Sequence, residues 1–163
     1  IGEGAFEDCN IERITINALT GNIFRGCGEL DPNKIITYTG KYASKDGRCL
    51  IKDGVLIDFI LGNLTSYAIP EGVQVINPEV FSHCYILTDI TIPATVTQIG
   101  DNVFAGGSPW LSITCLSTTP PQATTLGISK ETTIYVPKKS VSAYKKAEGW
   151  TKYKKQIKRI KEQ

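Results

Sequence analysis

Five cysteines, one histidine and a lysine-rich tail are the residues of this chain most able to do chemistry. Cys9, Cys27, Cys49, Cys84 and Cys115 could in principle serve as nucleophiles, metal ligands or disulfide partners. Their odd number, and the lack of any C-x-x-C pair, argue against a disulfide framework and against a zinc ribbon. Free cysteine packs as a small buried hydrophobe, and that is the expected role here. His83 is the sole imidazole, so no Ser-His-Asp or Cys-His arrangement can be built from spacing. Cys84 follows it directly, but neighbours on a strand or bend point apart, and no metal site is expected there. A carboxylate pair such as Asp58 with Asp89 would suit acid–base work, yet no spacing selects it. Asp46-Gly47 and Asp53-Gly54 lack the bidentate Glu and the 1-3-5 oxygens of a calcium loop. No glycine-rich phosphate loop opens a helix, and Gly106-Gly107 falls in a bend, where glycine supplies positive φ. The chain is therefore read as non-enzymatic, with no cofactor and no metal.

The tail has its own chemistry. Lys138 to Gln163 holds ten basic and two acidic residues, a local charge of +8, while the preceding 137 residues hold eight basic and fourteen acidic, a local −6. The overall charge of +2 and pI of 8.3 describe neither part. Lysines interleaved with Tyr144, Trp150 and Tyr153 could contact phosphates and stack on bases, or lie on an anionic surface as an amphipathic helix. Trp150, Tyr153, Ile157 and Ile160 recur at i, i+3, i+7 and i+10, one helix face, and the lysines mostly fall off it. The segment is predicted to be a basic helical cap. Ser140 would be its N-cap, Gly149 would separate two helical pieces, and lysine stems would cover the edge. No nucleic acid and no membrane insertion are expected.

What positions such residues is a repeat. Align Ile69-Pro70, Val73, Ile76, Phe81, Leu87 and Ile90 with Ile92-Pro93, Val96, Ile99, Phe104, Trp110 and Ile113: every pair is 23 residues apart. Ile1-Gly2, Ala5-Phe6, Cys9, Ile11 and Ile14-Thr15-Ile16 carry the same text with one residue deleted, and Phe24, Cys27 and Leu30 form a worn copy. Leu87-x-x-Ile90-x-Ile92 alternates with period 2 at its end, the pattern of a half-buried strand, and Pro93 ends it. Val96-x-x-Ile99 is a second short apolar segment. One such unit cannot bury its own apolar face, so the units must stack.

The rest reads as β or loop. The two Asp-Gly dipeptides are hairpin turn residues, flanked by Cys49-Leu50-Ile51 and Val55–Ile60. Residues 116–133 are rich in Ser, Thr and Pro and read as an irregular loop leading out of the array. Thr132–Val136 is a last short strand. The 163 residues, 41% hydrophobic and 21% charged, exclude bulk disorder. No run approaches the ~20 apolar residues of a spanning helix. Because the chain begins without Met, a signal peptide or lipid anchor is expected upstream.

The L-x-x-I-x-I spacing, the I-P-x-x-V-x-x-I-G link and the A-F-x-x-C loop together resemble the BspA-like leucine-rich repeat family of bacterial surface proteins. The likeness spans Ile1 to about Cys115. Gly40–Leu56 is similar to an atypical repeat of such arrays, and Ile134-Tyr135-Val136-Pro137 to Trp150 is similar to their C-terminal segment. The resemblance implies a mainly β solenoid, a right-handed array of ~23-residue leucine-rich repeats. Residues 1–115 would form the array, with a hairpin-like repeat at about 36–68, and 116–163 a loop, strand and cap. It further implies a cell-surface or secreted protein that binds a protein or glycan, as in adhesion. The outward strand positions Arg13, Thr15, Asp89, Thr91, Ser112 and Thr114 are the candidate binding residues. The alternatives are a purely structural stalk or cap module, and a hydrolase of surface glycans.

Overall fold

Short apolar segments separated by turn residues become short strands, and the 23-residue period becomes their register. The computed structural model describes residues 37–161 and the strand Ile14–Thr15. The strands are β1 (Ile14–Thr15), β2 (Tyr38–Thr39), β3 (Cys49–Lys52), β4 (Val55–Phe59), β5 (Ser66–Ala68) and β6 (Val75–Ile76). They continue with β7 (Asp89–Ile92), β8 (Gln98–Ile99), β9 (Ser112–Cys115), β10 (Thr133–Val136) and β11 (Ile157–Arg159). Among the described residues the α-helix is α1 (Val141–Lys146), flanked by 3-10 turns at Lys138–Ser140 and Thr151–Tyr153. The described residues are thus strand-rich, with little helix.

The longer sheet has the order β11-β10-β9-β7-β5, all parallel. Ser66 lies opposite Asp89, Asp89 opposite Ser112, Ser112 opposite Thr133, and Ile134 opposite Ile157, offsets of 23, 23, 21 and 23. The second sheet, β3-β4-β6-β8, repeats the 23-residue step between Ile76 and Ile99. It opens with the antiparallel hairpin β3–β4, turned by Asp53 and Gly54, both at positive φ (50° and 77°) as a two-residue hairpin turn requires. The bends stack as well. The Phe81 amide donates to the Val103 carbonyl, and the Phe104 amide to the Leu126 carbonyl.

The core runs between the two sheets as ladders of like residues. Ile90, Ile113, Ile134 and Ile157 are each at most 2% exposed. Phe59, Phe81 and Phe104 follow one another at ring-centroid distances of 4.7 and 5.8 Å. Each fully buried Ile or Phe contributes about 1.5–3 kcal/mol. A repeat missing one of these side chains also loosens the repeats on either side.

Four expectations are corrected. First, the 23-residue alignment put Leu87 opposite Trp110, but Trp110 is 72% exposed and Leu111 is buried. The Leu87 amide closes onto the Cys84 carbonyl and the Leu111 amide onto that of Ser108, so this bend has gained one residue. Buried Ser108, rather than Gly107, takes the place of the loop cysteine. Second, residues 116–132 form no strand beyond a single parallel bridge of Gln122 to Gln98, yet they run along the stack instead of out of it. The Ile99 amide donates to the Gln122 carbonyl and the Asn102 amide to that of Thr125. Third, Trp150, Tyr153, Ile157 and Ile160 do not share a helix: a 3-10 turn ends at Tyr153 and Ile157–Arg159 is a strand on β10. Pairing with β11 satisfies the backbone groups along the edge of β10, which would otherwise stand open. Trp150, Tyr153 and Ile157 are nonetheless buried. Fourth, Ser140 does not cap α1: its hydroxyl donates to the Thr118 carbonyl at 2.7 Å.

That bond is one of a set. Tyr144 donates to the Ser117 carbonyl at 2.9 Å, the Trp150 indole to that of Pro121 at 2.8 Å, and the Gln156 amide to those of Ser129 and Thr132 at 2.9 Å. The Leu126 amide donates to the Tyr153 hydroxyl at 3.0 Å. Gly149, between α1 and the second 3-10 turn, lies against the Ala123 carbonyl, where a Cβ would come within 1.8 Å of the oxygen. Side chains of the last segment thereby satisfy backbone groups that residues 117–132 cannot pair among themselves.

Candidate binding face

Strand alternation decides which side chains leave the core. In β7 and β9, Ile90, Ile92, Ile113 and Cys115 point in, so Asp89, Thr91, Ser112 and Thr114 point out. Parallel register brings these four together as two short rows, Asp89 beside Ser112 and Thr91 beside Thr114. Thr15 lies opposite Thr39 in a separate two-stranded sheet, so the described pairing does not bring it into either row. Arg13 lies outside the described residues.

Both rows are longer than the repeat text indicated. Asp89 and Ser112 continue to Ser66 on one side and Thr133 on the other. Thr91 and Thr114 continue to Ala68, and then through Tyr135 to Lys158. The 23-residue step points directly to Ser66 and Ala68. Thr133 and Tyr135 were hidden by the 21-residue step, and Lys158 by the helical reading of the tail. Five strands at ~4.8 Å make a face about 19 Å long. It is polar and mostly uncharged, with Asp89 near one end and Lys158 at the other. The Thr88 hydroxyl donates to the Asp89 carboxylate at 2.9 Å.

A second exposed feature lies at the bend that enters this sheet. Tyr85, Ile86 and Trp110 are 59%, 47% and 72% exposed. His83, at φ 59°, places its ring nitrogen 2.9 Å from the Tyr85 hydroxyl. A cleft of about 600 Å³ lies elsewhere, lined by Gln98, Gln122, Thr124, Glu148 and Lys152 among others.

Among the described residues the cysteine thiols are buried and poorly ionised, while Cys9 and Cys27 lie outside the described residues. Burial pushes the thiols of Cys49, Cys84 and Cys115 up to about 12. Cys49 Sγ sits 3.1 Å from the Tyr67 hydroxyl, whose own pKa burial raises and which donates to Asp46 at 3.0 Å. Burial alone would raise the Asp46 carboxyl, but hydrogen bonds from Ser44, the Arg48 amide and Tyr67 outweigh it and hold it below the usual carboxylate value. Asp58 is buried in β4, accepting from Tyr38 at 2.8 Å, while Asp89 is exposed on the other sheet, so the two do not form a carboxylate pair. Among the described residues no group of His, Cys, Asp and Glu could hold a metal ion. Iodoacetamide at pH 8 is expected to leave Cys49, Cys84 and Cys115 unlabelled in the folded protein. Peptide mapping by mass spectrometry checks this, and ready labelling of any of the three would contradict the burial that protects it.

Parallel strands in 23-residue register, with ladders of like apolar side chains and few helices, define a leucine-rich repeat protein. The chain belongs to the BspA type leucine-rich repeat family: the family model for the BspA type leucine rich repeat region matches residues 1–48 and 59–139 in six copies. The family implies a solenoid-like repeat fold, is typically non-enzymatic and is associated with bacterial surface proteins. No curated protein matches the chain. Among the described residues no helix is long and apolar enough to cross a membrane.

Proposed function

We propose that this chain is a non-enzymatic repeat protein of the bacterial cell surface or its surroundings. Its role in this reading is adhesion: it presents the outward face of the long sheet to a protein or glycan ligand. The repeats form a right-handed solenoid, closed at one end by the segment that follows Pro137. The observation that carries the reading is the pair of continuous outward rows, Ser66–Asp89–Ser112–Thr133 and Ala68–Thr91–Thr114–Tyr135–Lys158. Extended surfaces built by repetition suit macromolecules better than small molecules. The neutral hydroxyls offer donors and acceptors at modest desolvation cost, and Tyr135 adds an aromatic surface among them.

Extracellular-matrix pull-downs and a glycan array test the proposal. The paired variant Thr91→Glu with Thr114→Lys replaces adjacent hydroxyls by opposite charges that can pair. Its stability is expected to stay within about 0.5 kcal/mol, since surface changes away from special features are small. Its ligand binding should be lost. A variant that binds as well as the parent would move the site off this face. A parent that binds nothing on either assay would favour a structural stalk.

A further inference from the structure

The end of the molecule that carries β11 has a separate property. All ten cations from Lys138 to Lys161 are exposed, against the single carboxylate of Glu148. Among the described residues, none of the nine from Lys139 to Lys161 is held in an ion pair. They come from different elements: Lys145 and Lys146 end α1, Lys152 lies in the second 3-10 turn, Lys154 and Lys155 follow it, and Lys158 and Arg159 lie on β11. α1 packs on β11 and on both 3-10 turns, so these cations gather on the last repeat. We infer that this basic end is a docking surface for a polyanionic polysaccharide, recognised by its density of negative charge.

Lysine on an edge strand also guards against strand-to-strand aggregation. That accounts for Lys158 and Arg159, but it does not explain Lys145, Lys146 or Lys152, which lie off the edge. Two other polyanions fit less well. Single-stranded nucleic acid is gripped by stacking bases on exposed aromatic rings, and here Tyr144, Trp150 and Tyr153 are at most 8% exposed. A membrane surface takes up an amphipathic helix by its apolar face. α1 has six residues, and the apolar groups of the segment, Trp150 and Ile157, are turned into the core. What remains outside is positive charge on flexible stems, ammonium at every position but Arg159. Lysine ammoniums are point charges that do not impose bidentate geometry, so they select charge density above shape. A sulfated or otherwise acid-rich sugar chain meets that demand. The proposal does not depend on the sheet face binding anything.

The test uses the full chain with heparin as probe, hyaluronan as a polymer of lower charge density, duplex DNA, and vesicles rich in anionic lipid. Heparin is expected to bind most tightly and hyaluronan weakly. Heparin affinity should fall about tenfold or more between 50 and 200 mM salt, as counterion release dictates for several charge contacts. The variant reversing Lys145, Lys146, Lys154 and Lys158 to Glu should melt close to the parent, because exposed charges contribute little each. It should lose heparin binding by about a hundredfold. A matched variant reversing Lys41, Lys45, Lys52 and Lys130 has the same net charge and should keep most of the affinity. Equal loss in both variants would reduce the effect to net charge and overturn the proposal. So would tighter binding to DNA or to vesicles than to heparin, or no heparin binding by the parent.

Discussion

Ile90→Asp is expected to unfold the protein outright. Ile90 is 1% exposed, between Tyr67 of β5 and Ile113 of β9 in the longer sheet. A buried carboxylate without a partner costs several kcal/mol, against a total stability of ~5–15 kcal/mol for an ordinary domain. Loss of that side chain also unseats the repeats on both sides, so the damage is not confined to one strand. Circular dichroism melts should show no cooperative transition near that of the parent. The neighbouring change Thr91→Asp points outward and should cost less than about 1 kcal/mol. A melt of Ile90→Asp within a few degrees of the parent would reverse the inward assignment of β7.

Deleting Tyr144–Gln163 should be nearly as damaging. It strips Ile134 and Val136 of the pairing strand β11, and leaves the carbonyls of Ser117 and Pro121 without their Tyr144 and Trp150 donors. An uncovered apolar end on a repeat array invites aggregation. Trp150→Ala isolates the main anchor: a fully buried Trp replaced by Ala costs about 3–5 kcal/mol. Light scattering and thermal melts of both variants decide the matter. A deletion that stays monomeric and as stable as the parent would mean that the segment closes nothing.

Much of this molecule is legible in its sequence wherever the period is kept. Residues 69–115 hold two copies whose strands stay in register, and their strand positions and outward rows follow from a 23-residue step and period-2 alternation. Reading failed where the chain changes the count. One extra residue before Leu111 sent the alignment to Trp110, because both are large apolar residues and only burial separates them. The two-residue shortening before Thr133 hid the continuation of the outward rows. In the tail, Lys-Lys-Gln-Ile-Lys-Arg-Ile-Lys suits a helix face and an edge strand equally, and the open edge of β10, which no local pattern reveals, decided for the strand. Segment 117–132 looked like a loop because its partners are distant: backbone groups of the preceding repeat on one side, and side chains some 22 to 29 residues further on.

Those long-range partners also govern how such a protein can change length over generations. A duplicated 23-residue unit placed after Ile92 brings its own strand, its own bend and its own ladder residues, and every neighbour keeps an equivalent contact. The same duplication placed after Pro137 would seat Ser140, Tyr144, Trp150, Tyr153 and Gln156 over a unit that lacks the carbonyls and amide they now meet. Lengthening is therefore tolerated in the interior and penalised at the β11 end. Lineages of this protein should differ in repeat number while inheriting residues 117–161 as one indivisible block.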